Sequence, residues 1–463
     1  MLYSLLLFLA MPIVILRLLW RGVRQPAYLQ HWGERFGFFS SPIEAKAGTI
    51  WLHAVSVGEM RAASLLVRQF QQRYPNYPIL ITCMTPTGRA TAIELFGDNV
   101  TCLYLPYDFF SAQRRLIATF SPQVLVIMET EIWPNLLAAC HRECVPALLV
   151  NARLSDKSFR AYTRIALVRA LVRDALQCMQ VVAAQSRADA DHLKILGAVK
   201  LEVTGNIKFD MAIDAALVAK GESWRSGLPK EKHILLAAST RDGEEAMLLD
   251  AYCREFSTAE RKKILLVLVP RHPQRFDAVE TLIRARNLAM QRRSKDVLND
   301  ECVVWLGDSM GEMAAYVAMC DVAFIGGSLL PLGGQNLIEA CAQGKSVIMG
   351  RSTFNFAEAS RLAIEAGAMR QAVDANAVMA IAKLLFNDAA ARQMMGAAAK
   401  SFALAHAGAT DKTMALVAAF ISPSPIKSSE SSYFASNALT SPRSVSFSRP
   451  VADFRRNCER IVL

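Results

Sequence analysis

The sequence predicts an α/β protein made of two consecutive domains, each a doubly wound parallel sheet, with an apolar helix at the N-terminus. Three observations carry this prediction. The chain has 463 residues, which suits two domains of about 150–200 residues plus extensions. From residue 48 onward, short apolar runs alternate with stretches whose apolar residues recur every three and four positions. Near-continuously apolar strands separated by helices mark a parallel sheet covered on both faces. The alternation halts over a polar stretch, roughly 210–232, which reads as a linker, and then restarts.

The first twenty residues, MLYSLLLFLAMPIVILRLLW, are apolar apart from Ser4 and Arg17. A helix crossing the hydrocarbon core needs about 20 residues. No small-residue cleavage site follows, which argues against a removed signal peptide. Arg17, Arg21 and Arg24 crowd the C-terminal end of the run, and no Lys or Arg precedes them. By the positive-inside rule the N-terminus faces out and the body stays in the cytoplasm. Pro12 and Arg17 shorten the clean span, so a helix lying in the interface is the alternative.

In the first domain, strands are predicted at TIWLHAV (49–55), PILITCM (78–84), VTCLYLP (100–106), QVLVIM (123–128), PALLVN (146–151), VVAAQ (181–185) and KLEVTG (200–205). Between the first two, EMRAASLLVRQFQQRY carries the helical period. After the linker come HILLAAS (233–239), KILLVLVP (263–270), CVVWLG (302–307), DVAFIGG (321–327) and KSVIMG (345–350). Two Rossmann-like domains facing a cleft form the architecture called GT-B in glycosyltransferases, although a fold does not by itself fix a reaction. The expected bounds are an anchor at 1–22, an N-terminal Rossmann-like domain at 23–210 and a C-terminal Rossmann-like domain at 211–420. The Ser- and Pro-rich stretch 421–463 has no periodicity and reads as a disordered tail.

The formal net charge of +11 admits nucleic acid or an anionic surface as a partner. No zinc-finger spacing, RNP-like aromatic motif or long Lys/Arg block accompanies it. An apolar anchor beside a basic body makes anionic lipid the better partner. The ten cysteines are scattered without a C-x-x-C, and several sit inside apolar runs, as small buried residues do in a reducing compartment. Cys140-His141…Cys144 lacks a second ligand pair, so no metal is assigned.

Four stretches carry candidate chemistry. In VSVGEM, Gly58 permits a tight turn and Glu59 falls in the first turn of the next helix, at the carboxyl end of a strand, where open α/β sheets bind ligands. The alternative is an ordinary first-turn glutamate complementing the helix dipole. In METEIWPN, Glu129 and Glu131 follow another strand, and alternate residues of an extended chain share a face. Paired carboxylates raise one another's pKa and suit acid–base work; an acidic loop is the plain alternative. In LVPRHPQRF, Arg271 ends an apolar strand and suits a phosphate. In IGGSLLPLGGQNLIEA, four glycines bracket a loop before a helix start, so that backbone N–H groups can meet an anion, and Glu339 can accept hydrogen bonds from ribose hydroxyls. Asp189-Ala190-Asp191 forms an Asp-x-Asp, but in the first turn of a predicted helix, where acidic residues are ordinary.

In chain order, WLHAVSVGEM, TPTGRATA, LPYD, METEIWPNLL, NARLS, GNIKFD, LVPRHPQRF, GDSMGEM, GGSLLPLGGQN and STFNFAEA resemble the bacterial 3-deoxy-D-manno-octulosonic acid (Kdo) transferases of lipopolysaccharide synthesis. The resemblance runs from the apolar helix to about residue 420. It implies a GT-B enzyme on the cytoplasmic face of the bacterial inner membrane, moving Kdo from CMP-Kdo to the 6′-hydroxyl of a tetraacylated lipid A precursor, lipid IVA. It further implies inversion at the anomeric carbon and neither metal nor other cofactor. The glutamate of the family's S-x-G-E motif, its general base, corresponds to Glu59. The second carboxylate of M-E-T-E corresponds to Glu131 and the lysine of K-F-D to Lys208, both held to stabilise the transition state. The cytidine and phosphate contacts carry over to Pro270 and Arg271, to Met310, Gly311 and Glu312, and to Asn336, Leu337, Ile338 and Glu339. An acylated bisphosphate acceptor would account for basic Arg17, Arg21, Arg24 and Arg35 beside the membrane. Arg351 stands where many relatives carry proline, and the residues after 420 match nothing in the family pattern. A GT-B transferase using a UDP-sugar on a lipid acceptor shares the fold, anchor and glycine loop and remains the alternative. A sugar-nucleotide-binding scaffold without catalysis is the other.

Overall fold

The computed structural model describes residues 2–39, 48–211 and 213–421; the predicted tail lies outside the described residues apart from Ile421. The polypeptide divides into two compact units. The first comprises the chain to Asp210 together with the residues from Gly408 on, and the second runs from Met211 to Ala407.

The first unit opens with helix α1 (Leu2–Arg24), which is apolar and has no acidic residue in its first turn. Its sheet contains β1 (Thr49–His53), β2 (Ile79–Cys83), β3 (Thr101–Tyr104), β4 (Pro122–Met128), β5 (Ala147–Ala152), β6 (Val181–Ala184) and β7 (Leu201–Val203). The order is β3-β2-β1-β4-β5-β6-β7, and every neighbouring pair is parallel. Strands buried on both faces need apolar side chains throughout. In β1, Ile50 and Leu52 enter one core while Trp51 enters the core on the opposite face. The winding direction reverses between β1 and β4, and the crevice outside the carboxyl ends of such a strand pair is where open α/β sheets hold ligands. Helix α2 (Val57–Arg73) leaves β1 at that crevice, and α3 (Pro134–Arg142) follows β4.

Arg35 is not a surface residue, contrary to the expectation from its place in the sequence. It is buried, with its guanidinium 3.9 Å from the centre of the Tyr104 ring, where cation–π attraction and packing hold it.

The second unit repeats the plan with β8 (His233–Thr240), β9 (Ile264–Pro270), β10 (Met290–Arg292), β11 (Val304–Leu306), β12 (Val322–Ile325), β13 (Ser346–Met349) and β14 (Met369–Gln371). The order is β10-β11-β9-β8-β12-β13-β14, again parallel throughout. Here the reversal lies between β8 and β12. Edge strands β10 and β14 are three residues each and only partly buried, too short to show a strand period in the sequence. Most of the polar stretch read as a linker is a helix, α4 (Ala215–Ser226), which packs into this unit. A Cβ on its Gly221 would sit 2.1 Å from the Ala315 carbonyl oxygen, so only glycine lets the helix approach this closely. Two further helices, α5 (Glu244–Glu255) and α6 (Ile338–Ala342), follow β8 and β12.

The domain boundary expected at 420 moves to 407. Helix α7 (Ala409–Ala418) returns to the first unit, where Ala409, Met414, Val417, Phe420 and Ile421 join the core that contains Ile50, Leu66 and Phe70. The Asp210 carboxylate accepts the N–H groups of Gly408 and Thr410, satisfying orphan donors at the start of α7. Apolar periodicity reveals a buried helix face but not which core receives it. Replacing the fully buried Met414 by Ala should cost about 2–5 kcal/mol. Chemical denaturation, with a probe in each unit, should register this loss first in the unit that contains β1.

Candidate active site

At the end of β1 the chain turns through Ser56, the N-cap of α2, whose Oγ accepts the Glu59 N–H at 3.4 Å. The Glu59 carboxylate folds back to accept the Val55 N–H at 2.8 Å and the Ser56 hydroxyl at 2.9 Å. This is a helix-capping arrangement, as S-x-x-E allows, yet it leaves the carboxylate poorly compensated. Glu59 is only 9% exposed. Burial pushes its pKa up to about 7; the Val55 N–H and Ser56 hydroxyl oppose the rise, and the Glu129 and Glu131 charges reinforce it.

Glu129 and Glu131 do not share the face of an extended chain as expected. Glu129 adopts a left-handed conformation, φ 59°, in a turn directly after β4, so strand alternation no longer applies. Such a conformation in a non-glycine residue costs about 1–3 kcal/mol and clusters at functional sites. The Glu129 carboxylate accepts from the Lys208 ammonium at 2.8 Å, both side chains being about one-fifth exposed. Lys208 lies on a short turn, Ile207–Asp210, held by the Asn151 side chain, which accepts the Ile207 N–H at 3.1 Å. Burial also raises the Glu131 pKa, with the help of the Glu129 charge. The three sequence-predicted residues Glu59, Glu131 and Lys208 are therefore brought to one strand edge, with Glu129 as the link between them.

In the second unit, Pro270 ends β9, and the Arg271 N–H donates to the Thr240 carbonyl at 2.9 Å, leaving an exposed side chain at the carboxyl edge. Gly311 has φ 80° with open space around it, and Met310 is 53% exposed. Glu312 is engaged within its own unit. Its carboxylate binds the Lys220 ammonium of α4, accepts the Ser309 hydroxyl at 2.5 Å and pairs with Arg293 at 3.0 Å. Burial would raise its pKa, but these donors outweigh burial and hold it below the ordinary range. Asn336 Oδ1 accepts the Ile338 N–H at 3.1 Å, whereas Leu337 and Ile338 bury their side chains. The Asn336 and Glu339 side chains of that segment are half-buried. The helix starts at Ile338.

Sequence reasoning missed the partner of the glycine loop. The N–H groups of Gly327, Ser328 and Leu329 converge on the buried Glu244 carboxylate at 2.6, 3.0 and 3.0 Å, and Arg241 adds a fourth at 2.9 Å. The Gly327 N–H thus serves an internal carboxylate, and the Gly326 N–H donates to the Ala238 carbonyl. The available signal was RDGEE after β8, which repeats the strand–glycine–glutamate order of VSVGE. The Asp-x-Asp is also accounted for by capping: Asp189 accepts the Leu154 N–H at 2.8 Å and the Ser186 hydroxyl at 2.5 Å. Among the described residues, no group of three or more His, Cys, Asp and Glu side chains is placed to hold a metal ion.

The family model for 3-deoxy-D-manno-octulosonic-acid transferases (kdotransferases) matches residues 30–211, the stretch that contains Glu59, Glu129, Glu131 and Lys208. A 3-deoxy-D-manno-octulosonic acid transferase of Bordetella pertussis is 42% identical over 376 residues, covering 80% of this chain and 86% of that protein. The chain belongs to the Kdo transferase family. The Haemophilus influenzae Kdo transferase is 35% identical over 423 residues, 90% of this chain and 98% of its own length, so the similarity embraces both units. Two solved structures share the two-unit GT-B-like fold. A glycosyltransferase from Rickettsia africae has TM-score 0.55 at 14% identity, covering 83% of this chain and 100% of that one. UDP-GlcNAc 2-epimerase from Neisseria meningitidis has TM-score 0.54 at 13% identity, covering 80% and 100%. The protein is a Kdo transferase, hence a glycosyltransferase of lipopolysaccharide synthesis.

The Glu59 carboxyl gives this Kdo transferase a pH-dependent stability term. Its folded pKa, about 7, lies above the ordinary 4.5, so the native state holds the proton more tightly than the unfolded chain. Stability is therefore lost as pH rises from about 4.5 to 7, on the order of 3 kcal/mol for this group. Denaturant unfolding at pH 5 and pH 8 should show Glu59→Gln gaining on the unsubstituted protein at the higher pH. An identical pH dependence in the two proteins would contradict the assignment.

Proposed function

We propose that the enzyme transfers Kdo from CMP-Kdo to the 6′-hydroxyl of a tetraacylated lipid A precursor, lipid IVA, inverting the anomeric carbon in a single displacement. The observation that carries this reading is Glu59: a buried carboxyl at the switch point of the first sheet, its pKa pushed up to about 7. A general base works best with a pKa near the operating pH. Glu59 takes the proton of the acceptor hydroxyl as that oxygen bonds to the anomeric carbon. The bond from that carbon to the phosphate oxygen breaks, and CMP leaves with the electron pair.

The remaining side chains divide the work by charge. Lys208, steadied by Glu129, and Glu131 balance the charge that shifts between the sugar and its leaving group. In the second unit, Pro270, Arg271, Met310, Gly311, Asn336, Leu337, Ile338 and Glu339 contact cytidine and phosphate, Leu337 and Ile338 through backbone. Glu312 serves the same site by fixing the 309–312 turn through Lys220 and Arg293. Helix α1 is long and apolar enough to cross a membrane. In this reading it anchors the enzyme to anionic lipid of the inner membrane, with the catalytic body on the cytoplasmic face, where the lipid-borne acceptor is presented.

The test is transfer itself, with detergent-purified enzyme, CMP-Kdo generated in situ and the tetraacyl precursor, products being read by mass spectrometry. A gain of one or more Kdo units is expected; no gain from folded, CMP-binding protein would refute the reading, and inhibition by UDP but not CMP would replace the donor. Glu59→Gln should bind CMP as before but lose transfer by about 10²–10⁴-fold. In the unsubstituted enzyme, kcat/KM should rise with pH through about 7, where Glu59 ionises. Full activity of the Gln variant would remove Glu59 from the role of base.

A further inference from the structure

Helix α1 is tied to the first unit at both ends. In its first turn the Tyr3 hydroxyl donates to Asp108 Oδ2 at 3.0 Å, and Ser4 Oγ is 3.1 Å from the Asn135 amide nitrogen. In its last turns Leu18 and Gly22 are buried, and a Cβ on Gly22 would lie 2.3 Å from Leu29. Arg21 sits over the Tyr28 ring at 5.6 Å. The chain then enters the body through Glu34, which pairs with Arg89 and accepts the Tyr104 N–H at 2.8 Å. At about 1.5 Å per residue the helix is about 35 Å long. A spanning helix would leave its first turn on the far side of the bilayer, a full membrane thickness from Asp108.

Asp108 does more than hold α1. It is 1% exposed, and its carboxylate also accepts the N–H groups of Asn135 and Leu136 at 3.0 and 2.8 Å. These are at the start of α3, only a few residues beyond Glu131. One buried carboxylate therefore joins the first turn of α1 to the end of the carboxylate loop. The outward side of α1 carries Leu5, Leu9, Ile13, Leu16 and Trp20, each more than half exposed. Arg17, Arg21 and Arg24 follow, and the helix has no acidic residue. Apolar side chains on one face with arginines beside them suit the interface of an anionic bilayer.

We infer that α1 lies in the plane of an anionic bilayer, and that the Tyr3–Asp108–Asn135 latch fixes the Glu129–Glu131 loop in register with the lipid surface. Asp108 is thus a positioning residue for a membrane-borne acceptor. The inference rests on the proposed lipid acceptor for its catalytic consequence, but not for its topology.

Two experiments test it on the full-length enzyme. A protease-cleavable epitope at the N-terminus should be cut in inside-out inner-membrane vesicles, where the catalytic body is exposed; cutting only in right-side-out vesicles would overturn the in-plane placement. Tyr3→Phe and Tyr3→Phe/Ser4→Ala remove the latch while sparing the Asp108 contacts to α3. Both variants should float with phosphatidylethanolamine/phosphatidylglycerol vesicles as the unsubstituted enzyme does, and turn over detergent-dispersed precursor at an unchanged rate. On precursor embedded in the vesicles their kcat/KM should fall roughly ten- to a hundredfold, as expected for losing a hydrogen bond to a charged group. Equal rates in both formats, or equal losses in both, would overturn the latch. Failure of the unsubstituted enzyme to use the precursor in either format would instead overturn the proposed acceptor, while the epitope cleavage still decides the placement of α1.

Discussion

A carboxylate folded back onto backbone N–H groups at the point where strand order reverses is the constraint on which both halves of this enzyme depend. Glu244 does this in the second unit, gathering four N–H groups from two loops. Without it, those donors would be buried unpaired, at about 1–3 kcal/mol each. Glu59 occupies the equivalent place in the first unit but gathers one N–H and one hydroxyl, with two other carboxylates nearby. The same motif is structural where it is fully satisfied and, in the proposed mechanism, supplies the base where it is not. A strand, a glycine and a first-turn glutamate bring a carboxylate to the crevice in each unit.

The surroundings of Glu59 are assembled from distant parts of the chain. The turn Ile207–Asp210 contributes Lys208 to Glu129 on one side and Asp210 to the start of α7 on the other. Packing α7 into the core of the first unit thereby braces the turn that delivers the ammonium. Strain at Glu129 is held in place by the same contacts, as a left-handed non-glycine residue requires. In the second unit, Lys220 and Arg293 tie α4 to the 309–312 turn through Glu312. Each unit thus secures a loop of the candidate site with an ion pair to an element remote in sequence. Such pairs, partly shielded from solvent, hold geometry better than surface pairs do.

Much of this was legible in the sequence because the relevant physics is local. Burial on both faces of a parallel sheet demands unbroken apolar runs, and these placed the longer strands. Glycine before a first-turn carboxylate marked Glu59, and the acidic run after β4 marked Glu131. Short edge strands β10 and β14 left no period to read, and α4 was hidden because a helix with polar composition resembles a linker.

What the tertiary structure decided were partnerships, which no periodicity of 2 or 3.6 can encode. The sequence by itself determined the α/β class, the two sheets and the strand ends at which the chemistry-bearing residues fall. Only the fold determined that Lys208 pairs with Glu129, that the glycine loop serves Glu244, and that α7 returns across the domain boundary. It also determined that Tyr3 reaches Asp108, 105 residues away. The physical reason is common to all four. A hydrogen bond or a buried methyl needs a partner within a few ångströms in space, and residues this far apart become neighbours only when the sheet order is fixed.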